Sequence, residues 1–155
     1  MTVAFIGHRN VDNSQSLKLR VTEIIEKLIV EKNADNFLFG SKSEFDNLCY
    51  EVVTEQKKKY PQICRVFVRA EYEYINESYS EYLSSLYEDT FFPTQVHGAG
   101  ALSYIKRNKV MIDMTDFLVV YFNEDYVPKS KTKSGTKIAV NYAQGKNVPI
   151  INLFE

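Results

Sequence analysis

The class this 155-residue sequence predicts is α/β with a mainly parallel sheet, and three observations predict it. Short apolar runs alternate with amphipathic stretches along the whole chain, the pattern of strand–helix–strand units. The run Phe117-Leu118-Val119-Val120-Tyr121-Phe122 has no polar interruption, as expected of a parallel strand covered on both faces. The opening run Thr2-Val3-Ala4-Phe5-Ile6 breaks at Gly7-His8-Arg9. That break puts an imidazole and a permanent cation just past the carboxyl end of a strand, where open α/β sheets hold ligands.

The elements follow in order. After the first strand, Asp12-Asn13-Ser14 supplies helix-capping side chains. Leu17, Val21, Ile24 and Leu28, with Ile25 and Ile29 beside them, then recur at helical spacing. Asn36-Phe37-Leu38-Phe39 reads as a second strand, closed by Gly40. Ser43 caps the next helix, whose face is Phe45, Leu48, Cys49, Val52 and Val53. Lys57-Lys58-Lys59 lies in its last turn, where the dipole favours cations, and Pro61 ends it. Ile63 to Ala70 is the third strand. From Ala70 to Ile105 there is no Lys or Arg, while residues 71–92 hold six acids and five tyrosines. Tyr79, Tyr82, Leu83, Leu86 and Tyr87 suit one helix there, and Thr90-Phe91-Phe92 a short strand. The segment reads as a crossover that packs its rings, with an interface or lid as the alternative. Gly98-Ala99-Gly100 breaks the chain before a helix over 101–114, which Asp116 marks the end of. A loop over 123–134, a helix from Gly135 to Gly145 and a strand over 148–153 complete the chain. With no repeat or linker, residues 1–155 form one domain, a Rossmann-like three-layer sandwich of about five main strands.

Composition narrows the functions. A net charge of -1 provides no global field for nucleic acid or an anionic membrane. Neither a secretory signal nor a membrane-spanning stretch is read, so the expected location is the cytoplasm. Cys49 and Cys64 read as free thiols, one on a helix face and one in a strand. His8 and His97 stand far apart without a cysteine cluster, so no metal site is expected.

Four clusters are expected above the strand ends: Gly7-His8-Arg9, Gly40-Ser41, Arg107-Asn108 and Ser134-Gly135-Thr136. A helix start has unpaired N–H groups and the positive end of the dipole, so Ser134-Gly135-Thr136 can receive a phosphate, with an ordinary helix cap as the alternative. Lys129, Lys131, Lys133 and Lys137 would raise the potential around it. His8 serves as a ligand contact or a structural histidine, since no nucleophile accompanies it.

The segments Val3-Ala4-Phe5-Ile6-Gly7-His8-Arg9, Phe39-Gly40-Ser41 with Phe45-Asp46, Arg107-Asn108-Lys109-Val110-Met111-Ile112-Asp113 and Ser134-Gly135-Thr136 resemble the SLOG superfamily. That group includes the DNA-processing protein A and Lonely Guy families, and the likeness is to its small YpsA/YspA-like branch of bacteria and phages. The resemblance covers nearly the whole chain. It implies a Rossmann-like fold that binds nucleotides or nucleotide-derived signals. It also separates Arg107 from Lys106 and Lys109, its charged neighbours. Two departures stand out. Phe39-Gly40-Ser41 replaces a double glycine. Gly135-Thr136 is followed by Lys137, Ile138 and Ala139, without the glutamate that assists N-glycosidic cleavage in the Lonely Guy enzymes.

The expected function is therefore binding of a nucleotide-derived small molecule, as a sensor or sequestering module, with no cofactor. A nucleotide-processing N-glycosidase or transferase is the first alternative, with Glu44, Asp46 or Glu124 as its acid. A single-stranded nucleic-acid binder is the second, disfavoured by the net charge. Homo-oligomerisation stays open.

Overall fold

The computed structural model describes residues 1–12, 14–126 and 134–154. Six strands form one sheet in the order β4-β3-β2-β1-β5-β6, and every neighbouring pair is parallel. The strands are β1 Thr2–Gly7, β2 Asn36–Phe39, β3 Cys64–Val68, β4 Asp89–Phe91, β5 Phe117–Tyr121 and β6 Ile150–Asn152. The expected short strand thus joins the sheet as its parallel edge, β4.

Five α-helices connect them: α1 Gln15–Lys32, α2 Glu44–Lys59, α3 Glu77–Leu86, α4 Ser103–Met114 and α5 Gly135–Gly145. Ser14 and Ser43 cap α1 and α2 by accepting the N–H groups of Leu17 and Asp46, and Ser134 accepts from Lys137 at the start of α5. The expected helix over 101–114 is shorter, because short 3-10 turns at Thr94–Val96 and Gly100–Leu102 precede α4. Asp116 lies beyond the cap, Thr115, and its carboxylate accepts the Thr2 N–H at 2.9 Å, anchoring β1 instead.

Side-chain alternation along the strands divides the core into two layers. On one face Val3, Phe5, Phe37, Phe39 and Val119 pack against α1 and α2, with Phe5 stacked on Phe39 at 5.1 Å between centroids. On the other, Ala4, Ile6, Leu38, Leu118 and Val120 pack against α4 and α5 through Met111, Ile112, Ala139 and Val140. This is the three-layer α/β arrangement the alternating runs predict. Among the described residues, no helix is long and apolar enough to cross a membrane.

The order reverses between β1 and β5. From β1 the chain runs outward through β2, β3 and β4, then returns so that β5 pairs on β1's other side. Loops leaving the carboxyl ends of β1 and β5 therefore part to opposite faces, leaving a crevice between them.

Candidate functional site

A cleft of about 990 Å³ opens at the carboxyl ends of the strands. All ten expected site residues line it: Gly7, His8, Arg9, Gly40, Ser41, Arg107, Asn108, Ser134, Gly135 and Thr136. Four segments distant in sequence are thus brought to one surface by the sheet. Lys129, Lys131 and Lys133 lie outside the described residues, and Lys137 is exposed in the first turn of α5.

The two glycines that close strands serve tight packing. A Cβ at Gly7 would stand 2.5 to 2.8 Å from atoms of the fully buried Phe45 side chain. This close approach presses β1 onto the start of α2. There the Glu44 N–H donates to the Arg9 carbonyl at 2.8 Å, and the Glu44 carboxylate accepts the Val11 N–H at 2.9 Å. A Cβ at Gly40 would meet Met111 Sδ at 2.6 Å and the Arg107 side chain at 2.8 Å. Gly135 differs, since nothing lies within 4 Å of its Cβ position.

His8 is only 4% exposed. Its Nε2 accepts the Asn123 N–H at 2.9 Å, and its ring stacks on Tyr126 with centroids 4.3 Å apart. A ring nitrogen that accepts is unprotonated, so the neutral ring carries its proton on Nδ1. Burial lowers the imidazole pKa and favours the neutral form. His8 therefore stitches the loop after β1 to the loop after β5, and does so uncharged.

Arg107 is equally buried, at 4% exposure. Its Nη1 donates to the Gly40 carbonyl, its Nε donates to Asn108 Oδ1 at 3.2 Å, and its guanidinium lies 5.3 Å from the Tyr104 ring centroid. Two of its three nitrogens are thus committed within the protein. Arg9, by contrast, is exposed and its side chain has no partner among the described residues.

Asp46 organises the loop after β2. Its Oδ2 accepts the N–H groups of Gly40 at 3.2 Å and Ser41 at 2.9 Å, while its Oδ1 is buried without a partner. Burial raises its pKa to about 6, against the pull of the two N–H groups and the nearby Arg107. Because the folded pKa exceeds the unfolded one, the folded protein holds a proton that the unfolded chain has released in the window between them. The associated stabilisation is present below the unfolded pKa and is lost as pH rises through about 6. Asp46→Asn stays neutral throughout. Denaturant unfolding of both proteins, taken from about pH 4 to about pH 7, is expected to shift the difference in favour of the variant by on the order of 3 kcal/mol. A difference independent of pH would contradict the buried charge.

Sequence reasoning did not single out Lys42, Glu71, Asn76 or Tyr104, which also line the cleft. Tyr72, Tyr74 and Tyr79 line it too, so part of the acidic aromatic segment forms a wall of the cleft as well as a crossover. Glu44, Asp46 and Glu124 do not line it; Glu71 is the one carboxylate among the described lining residues. Its Oε1 accepts the Tyr104 hydroxyl at 2.5 Å. The alternation of acids and tyrosines was the available signal, and aromatic packing was the stronger expectation. Among the described residues, no group of His, Cys, Asp and Glu could hold a metal ion.

Compared with known proteins, residues 6–154 match a family model described as the YspA SLOG family. A search of curated proteins gives no match.

Proposed function

Because the chain belongs to the YspA SLOG family, a nucleotide-related Rossmannoid group, we propose that the cleft binds a nucleotide or nucleotide-derived ligand, as a sensor or sequestering module. One observation carries this reading: the exposed Arg9 guanidinium, without a partner among the described residues, and exposed tyrosine rings line the same crevice at the strand ends. Arg9 offers a guanidinium fork that suits phosphate oxygens. Gly135, with open space at its Cβ position, leaves the start of α5 approachable by an anion. Tyr72 and Tyr74 present flat faces on which a base can stack.

Binding is favoured over turnover by where the acids lie: Glu71, the one carboxylate among the described lining residues, is held by the Tyr104 hydroxyl. The first turn of α5 has none. Glu44 is engaged by the Val11 N–H, and Asp46 faces the loop backbone. Chromatography of adenosine monophosphate incubated with the protein is therefore expected to show no free adenine.

The direct test is calorimetric titration with a panel of nucleotides, alongside mass spectrometry of small molecules released on denaturation. Arg9→Ala is expected to weaken binding by about 1.5–3 kcal/mol, the scale of a charge-assisted hydrogen bond, while leaving thermal stability unchanged. A wild-type protein that binds no nucleotide and releases none would overturn the reading.

A further inference from the structure

Glu71 is out of place in a cleft built for an anion. The other charged side chains lining it, Arg9, Lys42, Arg69 and Arg107, are all cationic. A lone carboxylate among them repels phosphate, so its presence calls for a ligand group that donates to it. Resting on the nucleotide reading above, we propose that Glu71 recognises the vicinal hydroxyls of a ribose, making the ligand a ribonucleotide with its 2′- and 3′-hydroxyls free.

Three features of the site support this. Glu71 follows β3 closely, above the carboxyl edge of the sheet, where an acidic side chain in a nucleotide-binding α/β fold can meet a ribose hydroxyl. Its Oε1 is already held by the Tyr104 hydroxyl, which fixes the carboxylate and leaves Oε2 without a partner among the described residues. Tyr104 in turn packs against the Arg107 guanidinium, which is tied to the Gly40 loop. The carboxylate is therefore positioned by a chain of contacts running back to the rigid strand ends, and Tyr104 is its positioning residue. A carboxylate accepts only, so hydroxyl hydrogens satisfy it as phosphate oxygens cannot.

A base amino group could also donate to Glu71, and the experiment separates the two. Affinities of the full-length protein are measured for adenosine, 2′-deoxyadenosine and inosine monophosphates. The expected result is similar affinity for the adenosine and inosine forms and roughly ten- to a hundredfold weaker binding of the deoxy form. Glu71→Ala is expected to abolish that preference while retaining deoxynucleotide binding. Tyr104→Phe, which keeps the carboxylate but frees it, is expected to reduce the preference. Glu71 is exposed, so the variants are expected to fold. Equal wild-type affinity for the ribo and deoxy forms, or a preference that survives Glu71→Ala, overturns the inference while leaving the nucleotide reading standing. Discrimination against inosine alone assigns Glu71 to the base and likewise overturns it. Binding of none of the three overturns the inference, and the nucleotide reading falls with it only if the wider panel and the released small molecules also show no nucleotide.

Discussion

Arg107→Ala is expected to lower the unfolding free energy by about 2–4 kcal/mol. The side chain is buried, and its loss leaves the Gly40 carbonyl and Asn108 Oδ1 without their donor. It also removes the cation whose field holds the Asp46 pKa down. The deficit should accordingly be larger at about pH 8, where Asp46 is ionised, than at about pH 5. Arg107→Lys should recover little, because its single nitrogen does not reproduce the planar fork whose Nε and Nη1 reach Asn108 Oδ1 and the Gly40 carbonyl together. Urea unfolding followed by circular dichroism checks this through the midpoint at unchanged slope. An unchanged midpoint would show that the buried guanidinium is not what holds the loop.

Gly7→Ala is expected to cost about 1–3 kcal/mol by overpacking, although alanine suits a strand better than glycine does. Its methyl would enter the Phe45 ring from the end of β1, and Phe45 is enclosed on all sides, with Tyr121 at 5.9 Å between centroids. The relief available is to part β1 from α2, which strains the Glu44–Arg9 and Val11–Glu44 hydrogen bonds. Ligand affinity should therefore fall along with the unfolding midpoint. The double variant Gly7→Ala with Phe45→Ala separates strain from lost contacts. If the second substitution does not offset part of the first in a double-mutant cycle, the clash is not the cause.

Much of the fold was legible because its signals are local. The serine caps at 14 and 43, the i, i+3, i+4 face of α2 and the apolar run of β5 each speak for themselves within one or two turns of chain. The meeting of the clusters after β1, after β2 and at the start of α5 followed from strand order, because parallel strands deliver all their carboxyl ends to one edge, while Arg107-Asn108 joins them from α4. What escaped was the direction of polar side chains. Lys106, Arg107 and Lys109 look alike in sequence, yet Arg107 alone of the three is buried. Its spacing from the buried Val110 and Met111, three and four residues on, was the mark of an inward position. Asp46 stands likewise three residues before the buried Cys49. Glu71 was hidden for another reason, since its partner Tyr104 lies 33 residues away and no local pattern joins them.

The pairing of β1 with β5 has a consequence for how the chain is made. β2 follows β1 early, in register from Thr2 opposite Asn36, but the other edge of β1 waits for Phe117 and beyond. Until then Val3-Ala4-Phe5-Ile6 presents an open row of backbone groups between bare apolar faces, a template on which nascent chains can associate. At roughly 5–20 residues per second, synthesis of the intervening segment keeps that edge uncovered on the ribosome for several seconds. Residues 71–92, with six acids and no Lys or Arg, are synthesised before Phe117, so their negative charge is present while that edge is open and helps keep the half-built sheets of neighbouring chains apart.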